Sequence, residues 1–271
     1  MSLSLCHDEN KASQNLREKT KIATAFGRAA PRYDALANYQ QNSGKQLLGF
    51  IEDHALAEIP LEPLQVLDAG CGTGFFSQIL QARGAYVTAL DLSVGMLEVA
   101  KNKQAAHRYV CGDMDALPFA DASFDWVFSN LAIQWCQNLP HALSELYRVT
   151  KPGGVVGFTT LAEHSLGELA QAWQTLDDDP HVNRFLAYSQ IVEDCQSWRC
   201  QLYQQADKLY FSNLIELLNS VKGIGATHLT AGRQAGLMTR QRLQRLSAVY
   251  PMADKGLPLT YQTVFGIMYR D

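Results

Sequence analysis

The stretch Val66-Leu-Asp-Ala-Gly-Cys-Gly-Thr-Gly74 decides how this chain is read. Val66 and Leu67 are an apolar run that predicts a short buried strand, with Asp68 at its end. Gly70, Cys71, Gly72, Thr73 and Gly74 then turn the chain into a helix. Glycine permits positive φ and lets a ligand approach the backbone with no Cβ in the way. A strand, a glycine turn and a helix N-terminus build a nucleotide site at the carboxyl end of a parallel sheet. Dinucleotide-binding chains space the glycines as G-x-G-x-x-G, with the helix N-terminus facing a pyrophosphate. Here the third glycine comes one residue early, as G-x-G-x-G, which favours a nucleoside without a pyrophosphate.

Strands and helices alternate downstream of Leu64. Strands are expected at 64–69, 85–90, 108–111, 124–129 and 155–160. Helices are expected at 74–82, from a Ser93 cap to about Lys103, and at 139–149. Gly84 is placed to terminate the first of these, and a serine is a favoured N-cap. Lys151-Pro-Gly-Gly154 turns the chain into the fifth strand. The rhythm implies a doubly wound, mostly parallel α/β sheet covered on both faces. Upstream, 21–33 reads as a short amphipathic helix ended near Pro31, and 38–57 as a helix packing Leu47, Leu48 and Ile51 on the sheet. After Thr160 the rhythm breaks. Helices are expected at 166–175, at 212–221 with a Ser212 cap, and at 239–250. Strands are expected at 202–211 and 259–269. The interrupting helices predict a small lid, about 161–200 and 212–250, over the carboxyl edge of a single domain spanning 21–271.

A chain of 271 residues with 47% hydrophobic residues has ample core for that domain. A net charge of -4 argues against nucleic-acid binding. Residues 1–20 are polar and charged, lack the apolar run of a signal peptide, and are expected to be a flexible N-terminus. No stretch is long and apolar enough to span a membrane. The six cysteines are scattered, with no C-x-x-C pair and so no zinc-type signature. They read as reduced thiols of a cytoplasmic protein.

Asp91 follows the glycine turn by about 20 residues, where an acidic side chain at the end of the second strand accepts ribose hydroxyls. Asp113, in Cys-Gly-Asp-Met, sits where it accepts a hydrogen bond from an adenine amino group. Leu92 and Met114 are placed to sandwich the ring. Asn130 closes the fourth strand and points into the crevice, while Trp126 and Phe128 belong to the core.

The set VLDAGCGTG, Asp91, GDMDALPF, FDWVFSN and LYRVTKPGG resembles the class I S-adenosylmethionine-dependent methyltransferases in order and spacing. The resemblance implies S-adenosylmethionine as cofactor. It places Gly70, Gly72 and Gly74 under the methionine moiety, counts Asp68 among the cofactor-binding residues, and gives the ribose to Asp91. Asp113 and Met114 line the adenine pocket, and Asn130 and Leu131 sit at the methionine end. A narrower resemblance runs through AFGRAAPRYD, SNLAIQWC, SELYRVTKPGGVVGFTTL, PHVNRFL, KGIGATHLTAGR, TRQRLQRL and LTYQTVFGIMYRD. These are similar to the malonyl-acyl-carrier-protein O-methyltransferases of biotin synthesis, which methylate the free carboxylate of a malonyl thioester at the start of the pimeloyl branch. The acidic loop 177–180 and residues 188–199 fit that family less closely.

A carboxylate is already a nucleophile at neutral pH, so no general base is required. The site must strip water from a cationic methyl donor and an anionic acceptor and align them. Proximity and orientation contribute about 7–11 kcal/mol, and a lid fits this need. Tyr33, in the PRYD turn, is expected to close over the reacting methyl as the catalytic residue. Arg184, Arg233 and His228 are the candidates to hold the malonyl carboxylate, since a guanidinium fork matches a carboxylate. Arg240, Arg242 and Arg245 are the candidates to dock an acidic carrier protein. Malonyl-coenzyme A stays open as the acyl handle. Rival readings are a methyltransferase of another small acid or quinone-type metabolite, a non-catalytic binding protein, and a dehydrogenase, which the glycine spacing disfavours.

Overall fold

The computed structural model describes residues 2–54, 64–223 and 239–271. Helix α1 (Ser2–Ala29) leads through a 3-10 turn (Ala30–Arg32) into α2 (Tyr33–Leu36) and α3 (Asn38–His54). Then follow β1 (Gln65–Ala69), α4 (Phe75–Ala82), β2 (Tyr86–Asp91), α5 (Val94–Asn102), β3 (Arg108–Cys111), β4 (Phe124–Ser129), α6 (Leu139–Val149) and β5 (Thr150–Leu161). The chain continues with α7 (Gly167–Gln174), α8 (Tyr188–Asp194), β6 (Arg199–Phe211), α9 (Leu214–Gly223), α10 (Arg240–Val249) and β7 (Leu257–Tyr269). Seven strands form one sheet in the order β3-β2-β1-β4-β5-β7-β6. The first five are parallel, and β7 runs antiparallel between β5 and β6. This is the doubly wound, mostly parallel sheet expected from the alternation of elements.

Covering both faces buries successive residues of each central strand, which is why these strands read as unbroken apolar runs. Val66, Trp126 and Phe128 face Leu47, Ile51, Phe76 and Leu80 of α3 and α4. Leu67, Val127 and Val156 face Leu143 and Leu146 of α6 on the other side. A third cluster joins Leu169 and Trp173 of α7, Leu217 of α9 and Leu246 of α10 with Leu161 and Tyr261 at one end of β5 and β7. Helix α8 does not join it: Ile191 and Cys195 pack with α6 on the sheet face. That part of the expected lid is therefore sheet-covering structure.

Several boundaries move for physical reasons. The expected flexible N-terminus lies within α1, which starts well before Lys21. Its Gly27 meets Gly95 so closely that a Cβ on Gly95 would lie 3.0 Å from Gly27 Cα, so α1 lies tight against the first turn of α5. Ser93 caps α5 as expected, its Oγ accepting Met96 N–H at 3.4 Å. Helix α9 is capped by Asn213, whose Oδ1 accepts Glu216 N–H at 2.9 Å; Ser212 instead donates to the Glu216 carboxylate at 2.6 Å. Strand β6 begins at Arg199 rather than Leu202 and pairs with β7 along its whole length. Among the described residues, no helix is long and apolar enough to cross a membrane.

Candidate active site

The glycine turn is built by backbone contacts between the ends of β1 and β2. Gly70 and Cys71 both donate their N–H to Leu90 O, at 2.8 and 2.9 Å. Gly70 adopts φ +79°, and a Cβ there would lie 2.3 Å from Ala132 Cβ. Gly72, at φ +54°, passes 3.9 Å from Tyr33 Cε1 on the same measure. Gly74 (φ +80°) plays a different part. It caps α4, and its Cβ would collide with Ala105 Cβ at 2.5 Å. It packs against the segment after α5 and does not line the cleft.

Asp91, at the end of β2, holds the turn in place. One carboxylate oxygen accepts Gly72 N–H at 2.8 Å and the other accepts Ser93 N–H at 2.8 Å. Burial pushes its carboxyl up to about 6, against the pull of those two donors. Asp68 lies behind the turn. It is 2% exposed and accepts the Ser77 hydroxyl at 2.5 Å. Burial, with a smaller contribution from Asp91, pushes it up to about 7. Asp68 thus braces β1 against α4 and is absent from the cleft wall.

The cleft above the turn is walled by Gly70, Gly72, Asp91, Leu92, Asp113, Met114, Asn130 and Leu131. The structure therefore brings together most of the residues singled out for a nucleoside. A second lobe shares Tyr33, Gly70, Gly72 and Asn130 with it, so Tyr33 stands where the two meet. Burial, then the nearby carboxylates of Asp91 and Asp34, push the Tyr33 hydroxyl well above its ordinary value and keep it protonated. Asp34 beside it ties α2 to the turn, accepting from the Thr73 hydroxyl and the Lys103 ammonium. Asn130 is held by three hydrogen bonds. Its Oδ1 accepts from Ser43 at 3.0 Å and from Thr159 at 2.9 Å, and its Nδ2 donates to Gln40 O at 2.9 Å. Leu131, at φ +48°, donates its N–H to Thr159 Oγ1 at 2.8 Å.

Sequence reasoning missed the wall contributed by α1. Lys19, Ile22 and Phe26 line the cleft, and the Lys19 ammonium bridges Asp113 and Asp115. The i, i+4 spacing of Ile22 and Phe26 is the only local signal, and it starts after Lys19. Arg184 stands apart: it borders a separate groove with Glu163, His164, Asp178 and Asp179 that shares no wall residue with the cleft. The acidic loop pairs elsewhere. Asp177 takes His181 at 2.6 Å and Arg242 at 2.5 Å, and the Arg242 guanidinium lies 5.0 Å from the centre of the Trp173 ring. His228 and Arg233 lie outside the described residues.

A family model described as a methyltransferase domain matches residues 67–158. The malonyl-(acyl-carrier protein) O-methyltransferase of Pectobacterium atrosepticum is 51% identical over 253 residues, covering 93% of this chain and 97% of that protein. The protein of the same name from Serratia marcescens is 49% identical, covering 93% and 96%. Among solved structures, the YcgJ protein of Bacillus subtilis superposes with a TM-score of 0.58 at 17% identity, over 84% of this chain and 99% of its own. A SAM-dependent methyltransferase from Thermotoga maritima gives 0.53 at 16% identity, over 92% and 100%. Those structural likenesses establish the fold, and the sequence relatives establish more: the chain belongs to the malonyl-(acyl-carrier protein) O-methyltransferase family.

Proposed function

We propose that this protein transfers a methyl group from S-adenosylmethionine to the free carboxylate of malonyl-acyl carrier protein, at the start of the pimeloyl branch of biotin synthesis, in the cytoplasm. The observation that carries the reading is Asp91 on the wall of a cleft floored by the glycine turn, in a chain 51% identical to a relative of that name. The residues fit the cofactor. Each Asp91 oxygen accepts one backbone donor and retains acceptor capacity for a hydroxyl of a ribose diol. Met114 and Leu92 offer apolar surface to a flat ring, and Gly72, where a Cβ would meet only Tyr33 Cε1 at 3.9 Å, leaves its backbone open to a ligand. When bound, the sulfonium supplies an electrophilic methyl group.

The chain's own residues then have three tasks. Ile22 and Phe26 exclude water from above the cleft, and α7, α9 and α10 act as the lid. Tyr33, held protonated between the two lobes, offers its hydroxyl to the reacting end. A malonyl carboxylate needs a cationic or donor partner. Arg184 is separated from the cleft, so we assign that task to Arg233 and His228. For the carrier, Arg240 and Arg245 are exposed on α10, whereas Arg242 is spent on Asp177 and Trp173. We assign docking to the exposed pair.

The test is mass spectrometry of malonyl-acyl carrier protein incubated with the enzyme and S-adenosylmethionine, with malonyl-coenzyme A and free small acids in parallel. One added methyl on the carrier-bound acid, in preference to the others, supports the proposal. Methylation of a different acid with the carrier substrate untouched overturns it. Arg245→Glu should raise the KM for the carrier substrate and leave that for malonyl-coenzyme A unchanged.

A further inference from the structure

An apolar corner faces solvent where the lid meets the edge of the sheet. Tyr210, Ile215, Val249 and Met252 are all exposed, Met252 to 74%. They lie near the end of β6, in the first turn of α9, at the end of α10 and in the connection into β7. The backbone ties these segments together. Tyr210 pairs with Pro258 and Phe211 with Leu257. The Tyr250 hydroxyl donates to Pro258 O at 2.7 Å, and a Cβ on Gly256 would lie 2.5 Å from Phe211 O. The core does not call for these side chains, because Leu214 and Leu217 of α9 and Leu246 of α10 already supply the third cluster. Apolar side chains gathered in this way mark a contact surface, whereas single exposed ones do not.

Cations stand beside the apolar residues. Lys208 precedes Tyr210 by two positions and shares its face of β6, and Lys255 Nζ lies 5.8 Å from the centre of the Tyr210 ring. Arg245 precedes Val249 by four and is its neighbour on α10. Two carboxylates also stand here, Asp254 and Glu216, the latter accepting the Ser212 hydroxyl. Positive charge is thus in excess at this corner of a chain whose net charge is -4. The groove at Arg184 has the opposite balance, with Glu163, Asp178 and Asp179 on its walls. An acidic partner is drawn to the corner and repelled by the groove. Tyrosine, methionine and arginine are also the residue types enriched where proteins meet. Because β5 and β6 both pair antiparallel with β7, the Phe211 end of β6 lies at the carboxyl edge of the sheet, as the cleft does. Strand β6 stands three strand spacings from β4, about 14 Å. We infer that this corner is the docking surface of the acidic carrier protein, with Ile215 and Met252 as apolar anchors and Lys208, Arg245 and Lys255 meeting its carboxylates. The inference rests on the carrier reading above and supplies its contact surface.

The experiment is steady-state methylation of malonyl-acyl carrier protein by wild type, Ile215→Asp, Met252→Asp and Val192→Asp. Each of the first two variants should raise the KM for the carrier substrate by about 5- to 30-fold and leave kcat within about twofold, as loss of an interface anchor does. Val192 is an exposed apolar residue of α8, away from the corner, and its variant should match wild type. Calorimetry with S-adenosylhomocysteine should give one affinity for all four proteins, which shows that the fold is intact. Ile215→Ser and Met252→Ser are milder changes and should move KM in the same direction by less. An unchanged KM in the Ile215 and Met252 variants, or an equal rise in Val192→Asp, overturns the docking surface and leaves the carrier reading standing. If the aspartate variants lose S-adenosylhomocysteine while the serine variants keep the wild-type KM, the surface is overturned as well. A wild type that leaves malonyl-acyl carrier protein unmethylated overturns the carrier reading and the surface with it.

Discussion

Asp91 accepts the backbone N–H of Gly72 at 2.8 Å, so the acidic side chain of β2 and the turn after β1 are one unit. The same carboxylate is ionised only above about pH 6, because burial pushes it up. A cationic nucleoside prefers the ionised form, so cofactor affinity should fall as pH drops through about 6. Asp91→Ala removes the proposed ribose acceptor as well as the tie to Gly72. It should cost about 2–4 kcal/mol of cofactor binding, more than one charge-assisted hydrogen bond, because two or more are lost. Calorimetric titration between about pH 5 and 8 checks both statements. A flat profile in wild type together with unchanged affinity in Asp91→Ala would remove Asp91 from the binding site.

Asp68 titrates for a structural reason. Its folded value, about 7, lies above its ordinary 3.8. The folded chain therefore binds a proton that the unfolded chain has released. Stability from this group is fully present below about 4 and is lost as pH rises through about 7. The residue is 2% exposed, and the neutral-pH cost is on the order of 4 kcal/mol. Asp68→Asn keeps an oxygen to accept the Ser77 hydroxyl and carries no charge. Urea unfolding at a series of pH values should show a shallower slope in the variant, with the smaller Asp91 contribution remaining. An unchanged slope would mean Asp68 sits ionised without penalty.

What could be read from the amino acids alone follows the range of the interactions. The glycine turn, Asp91 and the five parallel strands are encoded by neighbours within a few residues, so pattern and spacing located them. Lys19 finds its partner 94 residues away at Asp113, and nothing near Lys19 distinguishes it from a solvated lysine. The acidic loop shows the same limit. Asp177 pairs with Arg242, 65 residues downstream, and not with Arg184, although Arg184 is nearer in the chain. Asn130 lines the cleft, and its amide is held by Ser43, Thr159 and Gln40. The start expected for β6, Leu202, falls three residues late because this edge strand alternates exposed and half-buried positions from Arg199, which weakens the apolar signal.

Lys19 fastens α1 over the cleft, and its removal should loosen that wall. The lysine is 8% exposed, with its ammonium between two carboxylates. Those carboxylates more than offset the burial that would otherwise pull its proton affinity down. Lys19→Met removes the cation between Asp113 and Asp115 and leaves each carboxylate one backbone donor, a loss of about 3 kcal/mol for breaking a largely buried pair. Trypsin should cut within α1 faster, and the KM for S-adenosylmethionine should rise. Adding Asp113→Asn and Asp115→Asn removes the repulsion and should restore part of the stability. If α1 stays protected and the KM is unmoved in Lys19→Met, the bridge does not hold the helix.

Two glycines separate backbone strain from close packing. Gly74 and Gly153 share a left-handed backbone, at φ +80° and +78°. A Cβ on Gly153 would meet nothing within 4 Å, whereas one on Gly74 would lie 2.5 Å from Ala105 Cβ and 3.0 Å from Ala100 Cβ. Gly153→Ala should therefore cost only the left-handed conformation, about 1–2 kcal/mol. Gly74→Ala carries that cost plus the displacement of two buried alanines, and overpacking adds typically about 1–3 kcal/mol. The displaced atoms belong to α5 and the segment just after it, and the strained one belongs to the turn itself. Gly74→Ala should consequently weaken cofactor binding as well as stability, while Gly153→Ala leaves binding unchanged. Thermal unfolding and calorimetry of the two variants side by side give the comparison. Equal stability losses would show that the approach of α4 to the Ala105 segment relaxes freely and that the third glycine serves only the turn.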